Sequence, residues 1–129
     1  MSTVSTDVVT VAFVSPPPGL HPFTDFELDA IPGASGLHAL RAVDADVRLF
    51  VVDPAAIGHP YPAATLSAAL ATVSAEVPEE ARVFVVVNPT AEGVRVNLRA
   101  PIVVHRRTGR ATQTILEGQE LPVRLLLDV

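Results

Sequence analysis

The sequence predicts an all-β domain, a barrel or a sandwich of short strands, with one short helix. Three observations carry that expectation. From Val94 to Val104 every second residue is apolar (Val94, Val96, Leu98, Ala100, Ile102, Val104), the period of a strand with one dry face. Elsewhere valine gathers in short runs bounded by proline, glycine and aspartate, the punctuation of half-buried strands and their turns. Helical spacing is convincing in one place only, Leu66–Ala71.

In chain order, Val8–Val14 reads as a strand that Ser15-Pro16-Pro17-Pro18-Gly19 stops, because proline offers no N–H to a ladder. Phe26, Leu28 and Ala30 alternate with Asp25, Glu27 and Asp29, giving a short strand with one acidic face. The plainer reading of that face is solvation; the functional one is a recognition edge for a cationic protein. Ile31-Pro32-Gly33-Ala34-Ser35-Gly36 is a loop, and beyond Leu37–Ala42 the chain turns at Val43-Asp44-Ala45-Asp46. Val47–Val52 is too continuously apolar for an exposed edge, and Asp53-Pro54 ends it. Thr65 is the expected N-cap of the helix, which is too short to stand alone and is expected to cap an open end of the sheet. Arg82–Pro89 is a second buried-type strand, and Thr90-Ala91-Glu92-Gly93 turns the chain into the alternating stretch.

In that stretch Pro101 has to sit at an edge, a strand start or a bulge, so a kink near Ala100-Pro101 should divide it into two strands. His105-Arg106-Arg107-Thr108-Gly109 reads as a hairpin connection closed by a glycine. Ala111, Gln113 and Ile115 then alternate again. After a loop at Glu117–Glu120, Leu121–Leu127 is the closing strand.

Asn97-Leu98-Arg99-Ala100-Pro101-Ile102-Val103-Val104, with Arg110, Ala111, Gln113, Ile115 and Leu116 beyond the turn, resembles the signature of the flagellar assembly factor FliW family. Looser likenesses surround it. Gly19-Leu20-His21-Pro22-Phe23 resembles the family's GLPGF segment, with His21-Pro22 where Pro-Gly is usual, and Val47–Pro54 resembles the strand that ends in Asp53-Pro54. Leu37–Ala42 keeps only Leu40 of its family counterpart. The family's first hairpin is expected to be shortened or missing ahead of Gly19.

The resemblance implies a pseudo-barrel of short antiparallel strands with one short capping α-helix, a single domain over 1–129. It implies a protein without enzymatic activity that binds the RNA-binding regulator CsrA and, alternatively, flagellin. On it, Gly19, Leu20, Asp53, Pro54, Asn97, Ala100, Pro101, Ile102 and Gln113 are motif positions. Asp25, Glu27, Asp29, Asn97, Arg99 and Pro101 are the candidate partner-facing residues.

Composition agrees with a folded domain: 129 residues suit one core, and 49% hydrophobic against 18% charged residues is globular. The absence of cysteine removes disulfides and thiolate metal sites. The amino terminus has no basic region followed by an apolar core, and no apolar run reaches the roughly 18 residues of a membrane span, so a cytoplasmic protein is expected, with no membrane partner. The net charge of −5, with every basic residue an arginine, favours cationic partners and disfavours direct nucleic-acid binding. A monomer without cofactors is the expectation.

Catalytic candidates are His21, His38, His59 and His105, with Asp53 and several serines. The histidines lack metal-ligand spacing, and no nucleophile elbow, phosphate loop or paired-carboxylate motif accompanies them. His105 reads as a solvated turn residue. Arg106, Arg107 and Arg110 form the one basic cluster, whose plainer role is hairpin solubility and whose functional one is a phosphate or RNA contact. Asn97 either satisfies backbone groups beside Pro101 or faces a partner. The divergence at His21-Pro22 and Ala39-Arg41-Ala42 raises a second possibility, a small-molecule-binding barrel or divergent enzyme of the same fold. A deep apolar cavity with an inward-facing histidine or carboxylate is its mark, and a filled interior counts against it.

Overall fold

A computed structural model describes residues 8–17, 20, 22–33, 36–91, 93–116 and 125–127. The described residues form nine strands: β1 (Val8–Phe13), β2 (Asp25–Ala30), β3 (Leu37–Ala42), β4 (Arg48–Val52), β5 (Ala81–Thr90), β6 (Gly93–Val96), β7 (Ile102–His105), β8 (Arg110–Gln113) and β9 (Leu125–Leu127). An α-helix, α1 (Ser67–Thr72), lies between β4 and β5. The strand order is β4-β3-β2-β1-β8-β7-β5-β6-β9, and β5 also pairs with β4. Seven strands, β1 to β5 with β7 and β8, therefore close into a barrel, while β6 and β9 extend outward from it.

Closure rests on β5. Its first residues, Ala81–Phe84, pair with β7; Val85–Val87 pair with β4 across the other edge; Val87–Thr90 pair with β6. All pairings are antiparallel except β1 with β8, which is parallel. That exception to the antiparallel expectation joins two strands far apart in sequence, where no hairpin dictates direction. Ala12 donates to the Gly109 carbonyl and Val14 to the Ala111 carbonyl, each at 2.9 Å.

The period-two pattern sorts the side chains. Val11, Phe13, Phe26, Leu28, Leu40, Ala42, Val51, Phe84, Ile102, Val104 and Ala111 fill the interior, with every one of the closing strands contributing. Phe13 and Phe26 meet edge to face at 5.4 Å. Outward residues of β4, β5 and β6 (Val52, Val85, Val87, Val96) pack beneath Leu98 and Tyr61.

The helix covers the outer wall rather than an open end. Leu66, Ala69 and Val73 pack on Ala81 and Val103, the outward residues of β5 and β7. Thr65 is not its cap, because a 3-10 turn over Ala63–Leu66 starts at Pro62 and runs into α1 with no side-chain cap bond. Asp53 does cap: its Oδ1 accepts from the Ala55 N–H at 2.9 Å and starts the short turn Pro54–Ile57. Among the described residues no helix is long and apolar enough to cross a membrane.

Candidate partner-binding site

The alternating stretch divides earlier than the sequence indicates. β6 ends at Val96, residues 97–101 form a turn, and Pro101 stands immediately before β7. Asn97 causes the early exit: its N–H still bonds the Val86 carbonyl, but its side-chain Oδ1 accepts from the Arg99 N–H at 3.1 Å, which folds the chain back. Further bonds brace the turn. Tyr61 donates its hydroxyl to the Leu98 carbonyl, Gln113 Nε2 donates to the Ala100 carbonyl at 3.0 Å, and the N–H groups of Thr114 and Leu116 reach the Pro101 and Arg99 carbonyls. Leu98, Ala100, Pro101 and Ile102 are buried beneath it. The segment Thr114–Leu116 thus follows the turn instead of prolonging β8, and Ile115, expected to alternate with Ala111 and Gln113, is 51% exposed.

This turn rims one mouth of the barrel. A pocket of about 310 Å³ lies there, bordered by Leu20, Asn97, Ala100, Ile102, Gln113 and Ile115 among others. The motif positions Leu20, Asn97, Ala100, Ile102 and Gln113 therefore converge on one surface, and Pro101 sets the start of β7 behind them. Asp53 and Pro54 serve elsewhere, at the end of β4. Gly19 and His21 lie outside the described residues, as do residues 117–124, which include the predicted loop and the start of the closing strand.

The acidic row stands outward on β2, as alternation requires, but it is not purely solvated. Arg41, opposite Glu27 in register, reaches both Glu27 Oε1 at 3.1 Å and Asp29 Oδ2 at 2.8 Å. Half-exposed ion pairs of this kind are each worth about 0–1 kcal/mol, so the pairing trims the charge of the row more than it stiffens the fold. Asp25 remains exposed. Among the described residues Asp29 Oδ1 and Arg99 Nε are buried without a hydrogen-bond partner. Each sits in one of the two segments predicted to face partners.

His105 overturns the sequence reading: it is 2% exposed. It ends β7 facing outward, under the Glu79–Glu80 segment, and Nδ1 accepts from the N–H groups of Arg107 at 3.1 Å and Thr108 at 3.4 Å. Nδ1 is therefore an acceptor, which leaves Nε2 as the donor nitrogen, 4.0 Å from Glu80 Oε1. The Glu80 carboxyl is held below the usual carboxylate range, first by the Glu76 N–H and then by Val77, His105 and Arg107. Two of the basic cluster are structural: Arg106 Nε donates to the Glu79 carbonyl at 2.9 Å and Arg110 Nε to the Thr72 carbonyl at 3.1 Å, tying the hairpin to the Pro78–Glu80 turn and to the end of α1.

Sequence reasoning also missed a polar plug. His38 and Arg82 carry inward positions at the starts of β3 and β5, away from the motif mouth. Arg82 donates to His38 Nε2 at 3.1 Å, His38 Nδ1 bonds the Gly36 carbonyl at 3.3 Å, and both side chains pack on the Phe84 ring. Inward parity of Arg82 among Phe84 and Val86 was the available signal. His59 is exposed. Among the described residues no three His, Cys, Asp or Glu side chains gather as a metal site.

The motif, its braced turn and the barrel can be set beside known proteins. A family model described as FliW protein matches residues 2–127. The flagellar assembly factor FliW of Thermotoga petrophila is 36% identical over 91 residues, covering 68% of this chain and 61% of the relative; that of Thermotoga maritima gives the same figures. The matched region thus spans about three fifths of the length of these relatives. A crystal structure of the flagellar assembly factor FliW superposes with a TM-score of 0.75 over 91% of this chain and 84% of its own, at 17% identity, a likeness of fold. The chain belongs to the FliW family of flagellar assembly factors.

Proposed function

We propose that this protein is a cytoplasmic, non-enzymatic regulator that works by exchanging protein partners: it binds a CsrA-type RNA-binding protein and, in competition, flagellin. Bound to the regulator, it weakens that protein's hold on flagellin mRNA, and newly made flagellin competes for the same regulator. A ligand that prefers the RNA-incompetent state of CsrA shifts the population toward that state.

The observation that carries this reading is the convergence of the family motif on one barrel mouth, as a turn braced from four sides around a pocket with an apolar floor. Two buried polar atoms that have no partner among the described residues, Arg99 Nε and Asp29 Oδ1, add to it, since each such atom costs about 1–3 kcal/mol until something meets it. The acidic row on β2 and the net charge of −5 suit a cationic regulator. The filled barrel interior weighs against the small-molecule alternative in the form that places the ligand inside.

Calorimetric titration with CsrA and with flagellin from the same organism, at two salt concentrations, tests it. Micromolar or tighter binding, with the CsrA complex weakened by salt and by D25R, is expected. No heat with either partner, or tight salt-independent binding of RNA with no effect on CsrA, overturns it.

A further inference from the structure

The basic hairpin is left unexplained by partner exchange, and it borders a cleft of its own. Three of the nine basic residues of this acidic chain fall between positions 106 and 110. Beside them, where the end of β1, the end of α1 and the β7–β8 turn meet, lies a cleft of about 490 Å³. Its polar lining includes Arg107, Arg110, Thr108 and Ser74, its apolar lining Val14 and Val73, and no carboxylate is among the lining residues. That volume is within the range of small-molecule sites.

The donors differ in how far they are committed. Arg106 is spent on the Glu79 carbonyl and does not line the cleft. Arg110 uses Nε on the Thr72 carbonyl, leaving its terminal nitrogens. The Arg107 guanidinium makes no hydrogen bond among the described residues; it only feels the Glu80 carboxylate, which lies outside the cleft. Thr108 Oγ1 accepts from the Arg110 N–H, so its hydroxyl proton is left to donate. Ser74 is held at φ 64, a left-handed conformation that costs a non-glycine residue energy and here places a hydroxyl on the cleft wall.

We infer that this cleft binds a phosphate monoester carried on a small apolar body. A carboxylate is satisfied by one bidentate guanidinium, whereas a phosphate dianion presents three acceptor oxygens and close to two charges. Two guanidiniums and two hydroxyls match the second. Val14, 40% exposed, gives the apolar body its contact. The site is distinct from the motif mouth: β7 and β8 separate them, the motif at the Ile102–Gln113 end and the cleft at the His105–Arg110 end, about 10 Å away. His105 is a positioning residue for it, because its Nδ1 sets the path of Arg107 and Thr108.

The test is calorimetric titration of the full chain with phenyl phosphate, with inorganic phosphate and benzoate as comparison probes, and amide NMR shifts to locate the contact. Saturable binding of phenyl phosphate is expected, tighter than that of either comparison probe, with shifts at Ser74, Arg107 and Thr108. R107Q, which removes no intramolecular hydrogen bond, should weaken it about tenfold or more with the thermal midpoint unchanged. S74A serves as a second variant, expected to weaken binding by a smaller factor. The proposal is overturned by absence of saturable binding, by benzoate binding as tightly as phenyl phosphate, or by folded R107Q binding as wild type does.

Discussion

The β7–β8 hairpin is held at both ends by side chains that bond backbone, yet the two ends are built differently. At its open end Asn97, Gln113 and Tyr61 converge on the 97–101 turn, each contributing one bond to a partly accessible rim. At its turn end one buried imidazole accepts two N–H groups, and Gly109 presses against the neighbouring strand. The open end distributes its support over several elements and leaves a pocket; the turn end adds to the outer bonds of Arg106 and Arg110 two buried residues, His105 and Gly109, on which its path depends. Loss of a single residue should therefore cost more at the turn end.

Gly109→Ala should have the largest effect. Gly109 has φ 77, and a Cβ there would stand 2.2 Å from the Thr10 carbonyl oxygen, a backbone atom that moves only if the parallel β1–β8 seam opens. Left-handed strain and overpacking together should lower stability by about 3 kcal/mol or more. Gly33→Ala is the control, with φ 81 but open space around the added methyl, and should cost about 1–2 kcal/mol. Urea denaturation of the two variants separates conformation from collision; equal losses would mean that the seam gives way freely.

His105→Ala comes next, at about 2–4 kcal/mol, from the lost packing and the two N–H groups left without their acceptor. His105→Leu sharpens the comparison. It restores volume but no acceptor, so recovery to wild-type stability would show that packing alone shapes the turn.

These ends also differ in how legible they were. Asn97, Pro101 and Gln113 announce themselves through local rules: a proline needs a strand start, and an amide beside it serves backbone groups. The alternation of Phe26 with Glu27 and of Leu28 with Asp29 likewise sorts inside from outside without reference to the rest of the chain. His105 did not announce itself because its burial depends on Glu79, Glu80 and α1, more than twenty residues earlier, being folded over it. The position of α1 on the outer wall was hidden for the same reason: its apolar face shows that something is covered, not which surface. The parallel β1–β8 pair is set by barrel closure and has no local signature.

Tyr61 offers a smaller effect at the open end. Tyr61→Phe should cost about 1 kcal/mol through the lost bond to the Leu98 carbonyl. Burial pushes the phenol up to about 12 from 10.0. A raised folded value means that its stabilising contribution is complete below the ordinary value and is lost as pH rises through about 12. The chain has one tyrosine, no cysteine and no lysine, so this residue titrates alone in that window. Phenolate absorbance should therefore rise late and together with unfolding, and Tyr61→Phe should abolish the alkaline loss; a midpoint at the ordinary tyrosine value would mean that the open end is not closed over the ring.

The smallest change in stability, and the one that most directly separates architecture from recognition, is Asn97→Asp. The carboxylate keeps an acceptor for the Arg99 N–H, so the turn should survive with a loss below about 1 kcal/mol, whereas Asn97→Ala removes that bond and should cost about 1 kcal/mol. What Asn97→Asp deletes is the amide N–H₂, which makes no hydrogen bond among the described residues and borders the pocket. If that group donates to a partner, binding of CsrA or flagellin should fall about tenfold in Asn97→Asp while the melting midpoint hardly moves. If Asn97→Asp binds as wild type does and only Asn97→Ala fails, the residue acts through the shape of the turn. Recognition at this mouth would then rest on what the turn displays, with Arg99 and its unpartnered Nε the first side chain to replace.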